Sequence, residues 1–372
     1  WMTEEGVDLT VIGLYSLVGL PYTLKFLWAP VFDRFTLPLF GRRRGWMLVT
    51  QVCLIVGLIG LGLTDPARSP WVVAGVACLV TFLSASQDIV IDAYRREDLR
   101  DNELGLGSSL YVNGYRLGML LAGSGGLILA DHFSFAQVYL MMAATLLVGV
   151  VTTLSCREPA LTRGTPRTFR EAVVEPFADY FRRDQALALL LFILLYKLGD
   201  QMASTMTTPF YLDLGFTKTQ IGAVAKLFGF WSAIAGGLLG GAILMRIGIV
   251  RSLWAFGILQ GAAILSFTAL ALAGNTVVGL AVAITLEQLT SGMGTAAYVA
   301  YMASLTNRRF TATQYALLSS CMGVPRVIIA APAGWLADLL GWPLFFVGCT
   351  LVALPGLALL PLVGRQYRRD VQ

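Results

Sequence analysis

Residues 41–64 read GRRRGWMLVTQVCLIVGLIGLGLT. Three arginines stand at one end, no charge interrupts the run from Trp46 to Thr64, and Asp65-Pro66 closes it. A membrane-spanning α-helix needs ~20 mostly apolar residues at a rise of ~1.5 Å each. This run supplies them, with the arginines placed where they would anchor one end at a membrane face.

The same pattern recurs along the chain. Reading outward from 46–64, ten more apolar segments cover about 10–32, 70–94, 104–130, 136–155, 185–211, 219–245, 250–273, 276–304, 313–337 and 343–363. Most connections are under ten residues, so successive spans should be antiparallel neighbours. Of the 372 residues 56% are hydrophobic and 13% charged, against ~25% charged in an ordinary soluble domain. The mean hydropathy is +0.71. A soluble enzyme, a DNA-binding protein and a disulfide-stapled secreted domain are excluded. The expected class is all-α and multi-pass.

Basic residues set the expected orientation. Twenty of them, among them Arg34, Arg42–Arg44, Arg95, Arg96, Arg157, Arg182, Arg183, Arg246, Arg308 and Arg309, fall in alternate connections and the C-terminal tail; the opposite connections hold only Arg68 and Lys218. By the positive-inside rule the first set is cytoplasmic, with Trp1 outside and Gln372 inside. The pI of 9.0 then reflects loops, not nucleic acid. An odd number of spans with an external start implies a missing first helix, so the visible spans are numbered 2 to 12. The chain divides into an N-terminal bundle, 1–155, a linker, 156–184, and a C-terminal bundle with a short basic tail, 185–372. In the linker Phe169, Val173, Phe177, Tyr180 and Phe181 recur every three or four residues, the pattern of an amphipathic helix on a membrane face. Pro176 should kink or split it. Cys53, Cys78, Cys156, Cys321 and Cys349 are scattered and His132 is the lone histidine, so neither a disulfide framework nor a metal site is indicated.

Nine charges lie inside spans: Lys25, Arg116, Lys197, Lys226 and Arg326, with Asp88, Asp92, Asp200 and Glu287. Each costs ~2.5–3.5 kcal/mol at mid-membrane, so they should pair or line a watery cavity. Lys197 and Asp200 are ~18–22 Å from one end of span 7, and Glu287 is ~16 Å from the opposite end of span 10, near the midplane where transporter ligands bind. Lys197 and Asp200, three apart, can neutralise each other. Glu287 either exchanges protons or binds substrate, or it pairs with Lys226 or Arg326. Arg116 and Arg326 either bind anions or brace helices. Asp92 should brace Arg34 or Arg95. The expected substrate-binding set is Lys25, Gln87, Arg116, Tyr196, Lys197, Lys226, Gln288 and Arg326. Proton coupling is expected at Glu287, then Asp88, then Asp200. The halves also show weak internal similarity: Gly126-Leu-Ile-Leu-Ala-Asp131 against Gly334-Trp-Leu-Ala-Asp338, with Arg116 and Arg326 upstream.

Several runs resemble AmpG-type muropeptide permeases of the major facilitator superfamily. They are Ser16-Leu-Val-Gly19, Lys25-Phe-Leu-Trp28, Asp33-Arg34 and Gly41-Arg-Arg-Arg-Gly-Trp46; Ser84-Ala-Ser-Gln-Asp-Ile89 with Asp92-Ala93; Gly114-Tyr-Arg-Leu-Gly-Met119; Leu195-Tyr-Lys-Leu-Gly-Asp200; Gly292-Met-Gly294; and Ala312-Thr-Gln314 with Tyr315-Ala-Leu-Leu318. The resemblance runs over about 1–363. It implies two six-helix bundles in the inner membrane of a Gram-negative bacterium. It implies import of anhydromuropeptides from periplasm to cytoplasm, driven by protons, by a monomer that needs no cofactor, is not an enzyme and binds no nucleic acid. It also implies a cytoplasmic gate, here Asp33, Arg34, Asp92 and Arg246. A carrier of another anionic metabolite, such as a coenzyme A ester, is the alternative. An intramembrane transferase would need a catalytic motif, and a transport-dead sensor an appended domain; neither is seen. Lacking a P-loop, the chain should draw on a gradient rather than ATP.

Overall fold

In a computed structural model, the structure describes residues 1, 15–38, 40–160, 166 and 168–371, apart from the side chains of Ser16, Lys226, 325–331 and 366–371. Helices stand where the apolar runs predict them, and no β-strand forms among the described residues. Eight helices among the described residues are long and apolar enough to cross a membrane: Arg42–Gly62, Pro70–Asp98, Phe135–Ser155, Ala186–Asp213, Lys218–Ile247, Ile249–Ala273, Val277–Ser304 and Pro332–Arg365.

The departures from straight spans have local causes. Span 2 is a chain of short pieces, Tyr15–Gly19, Leu20–Leu24, Lys25–Leu27 and Ala29–Arg34. Pro21 and Pro30 each sit near the start of an α-piece, where a missing N–H costs nothing. Span 7 divides at Lys197 into Ala186–Tyr196 and Leu198–Asp213. Spans 5 and 8 widen into single π-turns, Leu121–Gly125 and Ala225–Gly229. Gly341, with φ 70°, bends the chain between spans 11 and 12. The linker forms the helix Phe169–Phe181 with Pro176 inside it. The expected split at Pro176 is therefore a correction: it falls seven residues past Phe169, and the helix continues without its N–H.

The described residues pack into two compact units that do not follow chain order throughout. The first comprises Trp1–Asp98, Leu117–Asp179 and Thr306–Ser320; the second comprises Leu99–Arg116, Tyr180–Leu305 and Cys321–Gln372. The first unit's core includes Phe32, Met47, Ile89, Val90, Ala312 and Ala316. The second is built on Phe210, Phe267, Phe345 and Phe346, with Trp342 against them. Its helices Phe230–Ile247 and Val277–Ser304 touch backbone to backbone: a Cβ added at Gly236 would lie 2.0 Å from the Leu289 carbonyl oxygen. Small residues permit such contact where lipid removes the ordinary hydrophobic drive between helices. Leucines and valines left outside, such as Leu63 at 78% and Val278 at 76% exposure, would be a liability in water and suit a lipid-facing belt.

Candidate functional site

Each unit carries its own polar constellation. In the first unit, the arginine-rich end is built around Asp33, which ends the short helix Ala29–Arg34. Asp33 is fully buried. It accepts from Arg43 Nη2 at 2.8 Å, from the backbone N–H of Thr313 at 2.9 Å and of Ala312 at 3.2 Å, and from Thr313 Oγ1 at 2.8 Å. The carboxylate thus caps a helix far away in sequence, where the first-turn N–H groups have no partners of their own. Arg43, also fully buried, donates to Phe32 O at 2.9 Å and by a two-pronged contact to Glu97, at 2.5 and 3.0 Å. Arg42 adds a third bond to Glu97, at 2.7 Å. The loop that delivers these arginines turns at Gly41, with φ 87° and no room for a Cβ beside Glu158. Glu158 holds the start of the Arg42–Gly62 helix by accepting from the N–H groups of Arg43 and Arg44 at 2.8 and 2.9 Å.

Further along Pro70–Asp98, Arg95 donates to Asp92 at 3.0 Å and to the Tyr315 hydroxyl at 2.9 Å. Two turns deeper, Lys25 is 4% exposed and pairs with the 27%-exposed Asp88 at 2.5 Å. The Gln87 side-chain oxygen is buried without a hydrogen-bond partner among the described residues. Tyr22 is exposed nearby, 2.7 Å from Ser84 Oγ.

The second unit gathers charge around the break in span 7. Lys197 donates to Asp200 at 3.1 Å and lies 3.4 Å from Ser291 O; Ser291 Oγ reaches Asp200 at 3.3 Å. Half-buried Glu287 lies one turn from Ser291, within electrostatic range of Asp200, Lys197 and Arg116. None of the described side chains forms an ion pair with it. Arg116 has a buried Nη1 without a hydrogen-bond partner among the described residues. A carboxylate and a guanidinium, each lacking a fixed partner among the described residues beside a neutralised pair, can respectively exchange a proton or take an anionic group without dismantling the fold.

The family model described as Major Facilitator Superfamily matches residues 1–328. The chain is 43% identical over 368 residues to the anhydromuropeptide permease of Escherichia coli, covering 98% of this chain and 75% of that one. It is 32% identical over 370 residues to the Rickettsia conorii putative transporter AmpG 4, covering 97% and 89%. The chain belongs to the Major Facilitator Superfamily, among the AmpG-type permeases. Its fold agrees with this membership: the crystal structure of the Escherichia coli fucose:proton symporter FucP aligns at a TM-score of 0.71 over 95% of each chain, at 12% identity.

On this permease the predicted residues fall into distinct settings. Lys25 with Asp88 and Lys197 with Asp200 are formed pairs, Asp92 takes Arg95 rather than Arg34, and Glu287 lies within electrostatic range of Asp200, Lys197 and Arg116. Tyr196 is core: buried, its hydroxyl bonded to Leu253 O at 3.0 Å and its ring stacked on Tyr298. Arg34 is half-buried over Phe35, its centre 5.1 Å from that ring, and among the described residues no hydrogen bond joins it to the Asp33 cluster; Arg246, in the second unit, is exposed. Gln288 is half-buried beside Glu287. Lys226 and Arg326 lie outside the described side chains. Sequence reasoning passed over Arg43, Glu97, Thr313, Gln314 and Ser291. The three consecutive arginines pointed to the place but not to which of them turns inward. Glu97 falls beyond the expected end of its span.

Proposed function

We propose that this chain is a proton-driven secondary transporter, a carrier and not an enzyme, that imports anhydromuropeptides across a bacterial inner membrane with its arginine-rich end in the cytoplasm. The observation that carries the substrate is the 43% identity over 98% of the chain to a protein named for that substrate. The second unit supports it: peptide-bearing muropeptides are anionic and polyhydroxylated, and Arg116 offers a guanidinium that can grip a carboxylate. Lys197 and Gln288 add polar groups within that unit; Lys25 and Gln87, within the first unit, are separate candidates for substrate contacts. Glu287 is the coupling carboxylate of first choice, as among the described residues it lacks an ion pair of the kind that holds Asp88 and Asp200 in place. Asp33 with Arg43 and Glu97 locks the cytoplasmic gate, and Asp92 with Arg95 braces it.

Uptake of radiolabelled anhydromuropeptide into proteoliposomes, with and without an imposed pH gradient, tests this reading. Accumulation should require the gradient. Glu287→Gln, which mimics the protonated acid, should still exchange substrate across the membrane but lose pH-driven accumulation. Accumulation by the variant equal to the parent's removes Glu287 from the coupling role and passes it to Asp88. A parent that carries a coenzyme A ester and not the muropeptide refutes the substrate.

A further inference from the structure

The start of the helix that follows Phe310 is held from two directions within the first unit. Asp33 takes its free N–H groups. From the other side, the linker helix Phe169–Phe181 grips the same turn and the loop before it. Gln314, 1% exposed, donates both amide hydrogens to that helix, to Asp179 at 2.7 Å and to the Pro176 carbonyl at 3.0 Å. Its own carbonyl accepts from the N–H of Asn307 at 2.7 Å. Asn307 Nδ2 reaches the second Asp179 oxygen at 3.3 Å. One turn up the loop, Arg309 pairs with Glu171 at 3.1 Å and Glu175 at 3.8 Å. Both donors of the Gln314 amide are therefore spent on the linker helix, and its acceptor closes the 307–314 loop onto itself. An amide this deeply buried is costly to leave unpaired.

We propose that the linker helix is a working part of the gate. Asp179 and Gln314 are positioning residues that hold the 306–320 segment on Asp33, so the arginine-rich end opens only when the Asp33 cap and the linker clasp are both released. The inference rests on the reading of Asp33 as a gate residue.

Ser320, on the same helix and 3% exposed, reports the release. In a background with the five native cysteines replaced by serine, Ser320→Cys is labelled with a thiol reagent in purified full-length protein. Gln314→Glu sets a second carboxylate against Asp179 while keeping the acceptor for Asn307. It should raise the labelling rate roughly tenfold, the scale of one hydrogen bond to a charged group. Adding Asp179→Asn restores the 179–314 bond with the roles exchanged, though not the bond to the Pro176 carbonyl, and should bring labelling at least halfway back to the parent on a logarithmic scale. A passive surface contact would not show this reversal. Asp33→Asn separates the two readings. If it raises labelling and Gln314→Glu does not, or if the double variant fails to reverse the rise, the clasp plays no part in gating. If Asp33→Asn itself has no effect, the gate reading falls first. Should Gln314→Glu not purify as a monodisperse protein, Glu171→Gln with Glu175→Gln loosens the same clasp at its solvent-facing end. An unchanged labelling rate there overturns the proposal.

Discussion

Arg43 shows how much one side chain of three identical neighbours can carry. Arg42, Arg43 and Arg44 occupy successive positions of one helix, ~100° apart around its axis, so only one of them points squarely at Asp33. Arg43 is that residue, fully buried between Asp33 and Glu97. Arg44 instead closes the end of the Phe135–Ser155 helix by donating to Thr153 O and Leu154 O. Removing one member of a buried ion cluster strands its partners, at about 3–5 kcal/mol. An exposed or half-buried charge that makes no such bonds changes stability by about 0.5 kcal/mol at most. Arg43→Gln should therefore lower the thermal midpoint in detergent by several degrees and Arg34→Gln by much less. Equal shifts would mean that the Asp33–Glu97 cluster does not hold this end together. The resemblance to AmpG-type permeases implies Arg34 in the gate alongside Asp33. Adjacent residues on a helix face different ways, and that geometry is why the partner comes from the next helix.

At the scale of elements, glycines decide which helices can meet. Gly236 on Phe230–Ile247 packs against the backbone at Leu289, and Gly240 against that at Met293. Gly222, on Lys218–Val224, has open space where its Cβ would be. Gly236→Ala should destabilise the protein by about 1–3 kcal/mol, because the facing backbone has no room to give. Gly222→Ala should be neutral or stabilising by up to about 1 kcal/mol, from helix propensity alone. Thermal unfolding of the two variants side by side checks this, and the reverse order would show that the helix contact is loose. The small-residue spacing here was visible in the sequence. Its partner surface was not, since the same spacing at Gly114 and Gly118 meets open space. Likewise the Lys197–Asp200 pair follows from a separation of three, whereas Ser291, which completes it, comes from a helix about ninety residues later.

For the whole molecule, the one-sided distribution of arginine carries the prediction of sidedness. Arg182 and Ser69 are both exposed and lie in connections of opposite kind. In intact spheroplasts, Ser69→Cys should react readily with a membrane-impermeant thiol reagent and Arg182→Cys should be protected until the cells are lysed. Equal labelling at both sites would overturn the orientation and, with it, the direction of import.

The membrane class, the positions of the helices and the asymmetry of charge between the two faces were determined by the sequence alone. Each depends on composition or on a run of ~20 neighbouring residues, and burial in lipid imposes the same requirement on every such run. Membership of the AmpG-type permeases was legible too, in short runs spread over the chain. Only the tertiary structure decided that Arg43 serves Asp33, that span 7 breaks at Lys197, that Ser291 completes the Lys197–Asp200 pair, and that Gln314 is clasped by the linker helix. Those outcomes depend on which surfaces meet after the chain folds. A buried polar group takes whichever partner packing brings within about 3 Å, and residues such as Asp33 and Thr313, far apart along the chain, carry no local pattern that announces their meeting.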